Sequence, residues 1–235
     1  MRHYVKPLLH LLSIKIIFIL TTACMEQDIA ILIADLSGYT ALTETHGALT
    51  AADLIDKYID IVTASLIGDS CLQERVGDEV LIVSTSPDYL LATAEALLQS
   101  TQEEYNFLEV HGGLHYGKLL KRNNSYFGSD LNLTSRIASQ ATAGTFLCSD
   151  SFLNALNNRS MYKFTSKGKY NFKNVRDEKE VFEISLAKPA HFYIDPICRM
   201  IVNKEIASFT HPAKSDILFC SQHCLDTYLQ KDATV

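Results

Sequence analysis

The sequence has little positive charge, few chain breakers and no long apolar run, and each shortage excludes a class of protein. Lys and Arg number 21 against 27 Asp and Glu, a net charge of −6. That balance argues against a broad nucleic-acid-binding surface, but not against a nucleotide held as a small ligand, which needs only local cations. Only 5 Pro and 10 Gly occur, and no internal repeat or low-complexity stretch is visible, which rules out a fibrous chain. A hydrophobic fraction of 47% rules out disorder. No stretch of about 18 uncharged apolar residues occurs, so no ordinary membrane-spanning helix is expected. The remaining class is globular, and 235 residues suit one medium domain with a small appendage.

The first residues stand apart. Arg2 and Lys6 precede an apolar stretch, interrupted by His10 and Lys15, that ends over residues 16–24. Two readings stay open for residues 1–26. One is a signal peptide ending in the lipoprotein-like run Leu20-Thr21-Thr22-Ala23-Cys24; the other is an extension ahead of a true start at Met25.

Beyond it, strands and helices alternate. Residues 29–35 (IAILIAD) form a branched, nearly unbroken apolar run that predicts a buried strand, ended by Ser37-Gly38. A helix is expected over 39–46. After Gly47 a second is expected over 50–67, with Leu54, Ile55, Tyr58, Ile59, Val62 and Leu66 at helical spacing and Thr50 with Asp53 as a capping-box variant. Residues 70–76 and 79–84 predict strands meeting at a Gly77-Asp78 hairpin turn. A helix over 87–104 follows, then a hairpin over 107–122 turning near Gly117, and a helix over 127–141. A strand over 145–149, a short helix over 152–157 and two strands within 162–184 complete the pattern. The order β-α-β-β-α-β predicts an α+β fold, a ferredoxin-like sandwich, over 27–187. Residues 188–193 read as a linker, and 194–235 as a small Cys-containing module.

Asp35 ends the first strand and Asp78 tips the first hairpin, so neighbouring placement in one sheet would bring two carboxylates together. Such a sparse oxygen set suits Mg²⁺, and two metals on one phosphate group can activate a hydroxyl and neutralise a leaving group. Singly, each Asp has an ordinary structural role, a helix cap or a turn. Asn132 and Arg136, four apart on a predicted helix, share a face able to orient a ribose and stabilise phosphoryl charge.

The stretches IADLSGYTALTE, ERVGDEVL, HGGLHYGKLL and YFGSDLNLTSRIA, in this order, resemble a class III nucleotidyl cyclase catalytic domain over residues 27–186. The resemblance implies a lyase that converts a nucleoside triphosphate to a 3′,5′-cyclic nucleotide and pyrophosphate for intracellular signalling. It implies two Mg²⁺ or Mn²⁺ ions per site and a homodimer with sites at its interface. Asp35, Asp78 and the Leu36 carbonyl would hold metal, while Asn132 and Arg136 of the opposite subunit would place the ribose and stabilise the transition state. Lys173 matches the lysine that grips the triphosphate, with Lys167 and Lys169 close by. At the base-selecting positions this chain has Glu74 and Ser125 where adenylate cyclases carry Lys and Asp or Thr. A Glu can accept from guanine, so ATP and GTP both stay open. Such a substrate implies a cytoplasmic site. The rival reading is a silent cyclase-like nucleotide-binding regulator with a C-terminal metal sensor.

Cys198, Cys220 and Cys224 cluster near the end, whereas Cys71 and Cys148 fall in predicted strands and are expected to be buried apolar residues. Cys220 and Cys224 share a helix face, and three thiolates suit Zn²⁺ or Cu⁺, with His211 or His223 available as a fourth ligand. A disulfide is disfavoured in a reducing compartment. The segments DPICRM and FCSQHC resemble a YHS domain, without that domain's usual glycine before the second block. So small a segment has little core, and a bound metal would supply folding energy. A metal storage or delivery role is a third reading.

Overall fold

The computed structural model describes residues 26–186, 192–204 and 209–232. The N-terminal segment 1–25 with Cys24, and most of the expected linker, lie outside them. Among the described residues no helix is long and apolar enough to cross a membrane.

The fold is built on β1 (Glu26–Leu36), whose alternating side chains divide between the two faces of the sheet. Ala30, Leu32, Ala34 and Leu36 belong to the larger core, with α1 (Tyr39–Ala64) and α2 (Pro87–Glu103). Ile29 and Ile31 face the other way. β1 lies between β3 (Glu79–Ser84) and β4 (Val110–Arg122), antiparallel to both, and β2 (Cys71–Val76) pairs with the outer edge of β3. The order β2-β3-β1-β4 is the ferredoxin-like core that the sequence predicts. β6 (Phe146–Ser149), β8 (Lys179–Ser185) and β7 (Lys163–Tyr170) extend the sheet beyond β4.

Against the second face lies α3 (Ser129–Ala138), with Leu131 beside Ile29 and Ile31, and Leu133 and Ile137 beside Leu147 and Val181. Gly113 on β4 permits this approach, because a Cβ there would collide with the backbone of Ala138. The short α4 (Asp150–Ala155) is capped by Ser149, whose hydroxyl accepts from the Phe152 amide (3.2 Å).

The structure corrects several local expectations. The hairpin turn is not at Gly117: β4 runs unbroken to Arg122, and Asn123 and Asn124 (φ 49° and 64°) turn the chain into β5 (Ser125–Phe127). Asn tolerates that left-handed backbone through local hydrogen bonding. Gly117 instead leaves room for Asp130, whose carboxylate accepts from the Lys118 amide (2.8 Å). With Phe127 paired to Leu120, α3 begins later than its apolar pattern suggests. Gly47 (φ 83°) does interrupt the first helix, but only as a kink inside α1. Thr50 makes no capping box; its hydroxyl donates to the His46 carbonyl across the kink (3.1 Å). Cys71 is exposed on the edge strand β2, while Cys148 is buried as expected, its thiol pushed up to about 12 by burial.

The C-terminal segment carries β9 (Phe192–Ile194), β10 (Ile201–Asn203), β11 (Phe209–His211), β12 (Lys214–Phe219) and α5 (Gln222–Asp232). β9 begins within the stretch expected as linker. Cys198, Met200, Phe219 and Cys224 join the same core as α1 and α2. The Ile201 amide donates to the Phe107 carbonyl (2.6 Å), and Leu108 bridges to Met200. So little apolar surface cannot close a core alone, and it is buried against the larger body.

Gly113→Ala is expected to lower unfolding free energy by roughly 1–3 kcal/mol in urea titration, the usual cost of overpacking. Gly144→Ala, at a loop glycine with φ 70°, provides a comparison in which backbone strain rather than helix approach is the cause.

Candidate active site

Asp35 is the penultimate residue of β1 and stands opposite His111 on β4. The pairing of Ala34 with Val80 sets the end of β1 beside the start of β3, and the two-residue turn at Gly77 (φ 65°) and Asp78 closes there. The carboxyl groups of Asp35 and Asp78 come close enough to share a proton. Burial, reinforced by the Asp35 charge and the shared proton, pushes Asp78 up to about 6. Burial likewise raises Asp35, although the Asp78 hydrogen bond and the Leu36 amide oppose it. Glu79 is raised by burial and then by the charge of Asp78. Asp35 Oδ1 is buried with no hydrogen-bond partner, and so is the hydroxyl of Tyr58 on α1, whose phenol burial and these carboxylates hold well above its ordinary range.

A cluster of this kind is unfavourable by itself, since like charges in low dielectric repel and desolvation penalises each. Hard oxygen donors with an unsatisfied buried lone pair fit a divalent cation such as Mg²⁺ or Mn²⁺. His111 lies next to the pair, its Nδ1 2.9 Å from Ser37 Oγ, and burial lowers its pKa. No motif or spacing in the sequence singles out Glu79, Tyr58 or His111 as site residues. Glu79 adjoins Asp78 in the chain, but only strand register and helix packing bring the other two near.

On α3, Asn132 is exposed, while Arg136 is half-buried with Nη1 lacking a partner. A network fixes the start of this helix. His115 Nδ1 lies 2.8 Å from Ser149 Oγ, and its Nε2 lies 3.5 Å from Asp130 Oδ1. The His115 hydrogen bond lowers the pKa of Asp130. A cavity of about 250 Å³ lies between the end of the β2–β3 hairpin and α3, lined by Ile33, Glu74, Val76, Glu79, Leu81, Leu131, Asn132 and Ser135. Glu74 and Asn132 therefore share one cavity. Ser125 is not among the cavity's lining residues; it opens β5 opposite Arg122, and the next residue, Tyr126, packs with Leu81 and Leu131.

Lys173 is exposed in the loop between β7 and β8, and the adjoining residues 174–177 border a second cavity of about 540 Å³ with His115 and Asp130. Of the neighbouring lysines, Lys167 is tied to Glu183 (3.1 Å) and Lys169 stands opposite Glu180 in the ladder.

The order of strands and the paired carboxylates define a cyclase-type α+β domain, and comparison with known sequences gives the family. The adenylate and guanylate cyclase catalytic domain matches residues 22–186, and the chain belongs to that family. The uncharacterized protein Rv2212 of Mycobacterium tuberculosis (strain H37Rv) is 36% identical over 115 residues, covering 48% of this chain and 30% of the relative. An adenylate cyclase of Glutamicibacter nicotianae is 29% identical over 136 residues, covering 57% and 34%. The matches thus span about a third of these relatives' length. Among solved structures, the adenylyl cyclase CyaB of P. aeruginosa superposes with a TM-score of 0.58 at 19% identity, covering 70% of this chain and 97% of that one.

The raised pKa of Asp78 gives a pH signature. With chelator present, the folded state holds this proton more tightly than the unfolded chain. Its contribution to stability is therefore complete below about 3.8 and lost as pH rises through about 6. Thermal melts over that window should show Asp78→Asn flattening the decline and gaining stability relative to wild type at neutral pH; parallel curves would contradict the shift.

Proposed function

We propose that this chain is a nucleotidyl cyclase acting on ATP or GTP, with sites at the interface of a homodimer. The observation that carries the reading is the half-buried meeting of Asp35 and Asp78, with Asp35 Oδ1 buried and unpartnered. Divalent ions held by Asp35, Asp78 and the Leu36 carbonyl would supply activation of the ribose 3′-hydroxyl and neutralise charge on the phosphates. The 3′-hydroxyl releases its proton to solvent, its oxygen attacks the α-phosphorus, the bond to the bridging oxygen breaks, and pyrophosphate departs with that electron pair.

This chain's residues position and stabilise. Asn132 orients the ribose by its amide. Arg136 donates to the α-phosphoryl oxygens as negative charge gathers, where a fixed guanidinium counts most. Lys173 holds the triphosphate tail from a flexible stem. Glu74, in the cavity with Asn132, is placed to accept from a purine edge, and guanine offers it two donors. Ser125 contributes to that choice from β5 in the second role the resemblance gives it.

The two-fold assembly is supported by the surface around the cavity. Val76 at its edge is 65% exposed, on a protein that buries most of its large apolar groups. Arg136 Nη1, buried without a partner, is likewise incomplete within one chain. A supply of nucleoside triphosphate places this chemistry in the cytoplasm.

Incubation with ATP and GTP separately, with Mn²⁺ and product identification, is expected to yield a cyclic nucleotide. Asp35→Ala or Arg136→Ala should each lower the rate by roughly 10²–10³ or more. Because the two residues belong to opposite subunits of each site, mixing the two variants and allowing exchange should restore about a quarter of wild-type activity. Failure to complement, from dimers shown to exchange, would reject the shared site. Glu74→Lys should lower GTP use relative to ATP; an unchanged ratio would remove Glu74 from base recognition.

A further inference from the structure

The kink in α1 has an independent outcome on the far side of the sheet from α3. His46, the last residue before Gly47, brings its Nε2 to 3.5 Å from Cys220 Sγ and 3.6 Å from Cys224 Sγ. Cys220 Sγ lies 3.4 Å from Cys198 Sγ and 3.6 Å from Cys224 Sγ. The four ligand atoms lie within 4.8 Å of one another. Around a tetrahedral zinc with bonds of about 2.3 Å to sulfur and 2.0 Å to nitrogen, edges of about 3.5–3.8 Å are expected. The observed separations fall on that scale, and the sulfurs are too far apart for a disulfide bond.

The surroundings have the character of a built site. Cys198 and Cys224 are fully buried. Asp195, also fully buried, accepts from the Cys198 amide with one carboxylate oxygen (3.3 Å) and from the Cys220 amide with the other (2.8 Å). One side chain thereby fixes two ligand-bearing loops, a supporting role typical of metal sites. Ser221 Oγ accepts from the Cys224 amide (3.2 Å) and anchors the third. Cys220 and His46 also border a cavity of about 380 Å³, which supplies an entry path.

We propose that His46, Cys198, Cys220 and Cys224 form a closed tetrahedral Zn²⁺ site that clasps the C-terminal segment onto the first helix of the catalytic domain. Neither His211 nor His223 is the fourth ligand. His211 Nδ1 accepts from the Ala213 amide (3.0 Å) and its Nε2 faces Asp232 (4.0 Å), while His223 is exposed. Because His46 belongs to the catalytic domain, the ion joins two parts of the chain widely separated in sequence. Next to the cysteines, Arg199 (φ 68°) packs over Gly38, close behind Asp35 and Leu36. The clasp thus restrains the loop that leads from β1 into α1.

The test uses the full chain purified without added metal and is independent of any cyclase activity. Metal analysis should find about one zinc per chain, and Co²⁺ exchanged into the site should show tetrahedral ligand-field bands with thiolate charge transfer. His46→Ala should weaken zinc binding roughly 10-fold or more in competition with a chromophoric chelator, while His223→Ala leaves it unchanged. His46→Cys, which keeps a ligand should the alanine variant misfold, should retain the metal and strengthen the cobalt charge-transfer band by adding a thiolate. Chelation should speed amide exchange in residues 36–46 of wild type. Zinc binding that survives His46→Ala at full affinity, a cobalt spectrum unaltered in His46→Cys, or a wild-type chain that binds no zinc would each overturn the proposal.

Discussion

Two carboxyl groups that repel one another are held together by the pairing of β1 with β3, and the chemistry available to this chain follows from that constraint. In water Asp35 and Asp78 would separate. Here the register of Ala34 with Val80 and the tight turn at Gly77 fix their backbones before the side chains can move apart. Burial raises both pKa values, and one Asp35 oxygen goes without a partner. An oxygen cluster assembled at such a cost is poised for a cation, as the proposed cyclase function requires. Stability and activity are opposed at this point, in the usual manner of sites assembled against local electrostatics.

The remainder of the α3 side of the sheet is an exercise in close approach. Gly113 lets α3 lie against β4, Gly117 admits Asp130, and His115 ties Asp130 to the hydroxyl of Ser149. These contacts set the axial position and rotation of the helix that carries Asn132 and Arg136. A helix fixed in this way presents its outward residues with little freedom, which suits electrostatic stabilisation, where preorganisation carries the benefit.

Much of the architecture is legible in the sequence because its signals are local. Branched apolar residues over 29–35 announce a buried strand, Gly77-Asp78 a hairpin, and the stretch 87–104 a helix. The ferredoxin-like strand order follows from that succession. Glycine is ambiguous, however: Gly117 has the composition of a turn but serves as space for a neighbouring carboxylate, and two asparagines make the turn instead. The convergence of Asp35 and Asp78 can be anticipated, since each ends an element in adjoining strands. His46 could not be, because no spacing relates it to cysteines near the other terminus. Its placement depends on a kink and on a shared core that only the assembled chain possesses.

Alternation along β1 has a mechanical corollary. Leu36 is sealed among the core side chains, whereas Asp35 points to the opposite side, with one peptide unit between them. A shift in the hydrophobic packing behind Leu36 cannot pass the sheet as a translation without breaking its ladder. It reaches the acid as a torsion of that single amide plane, and through Tyr58, which belongs to the same core and feels the charge of both carboxylates.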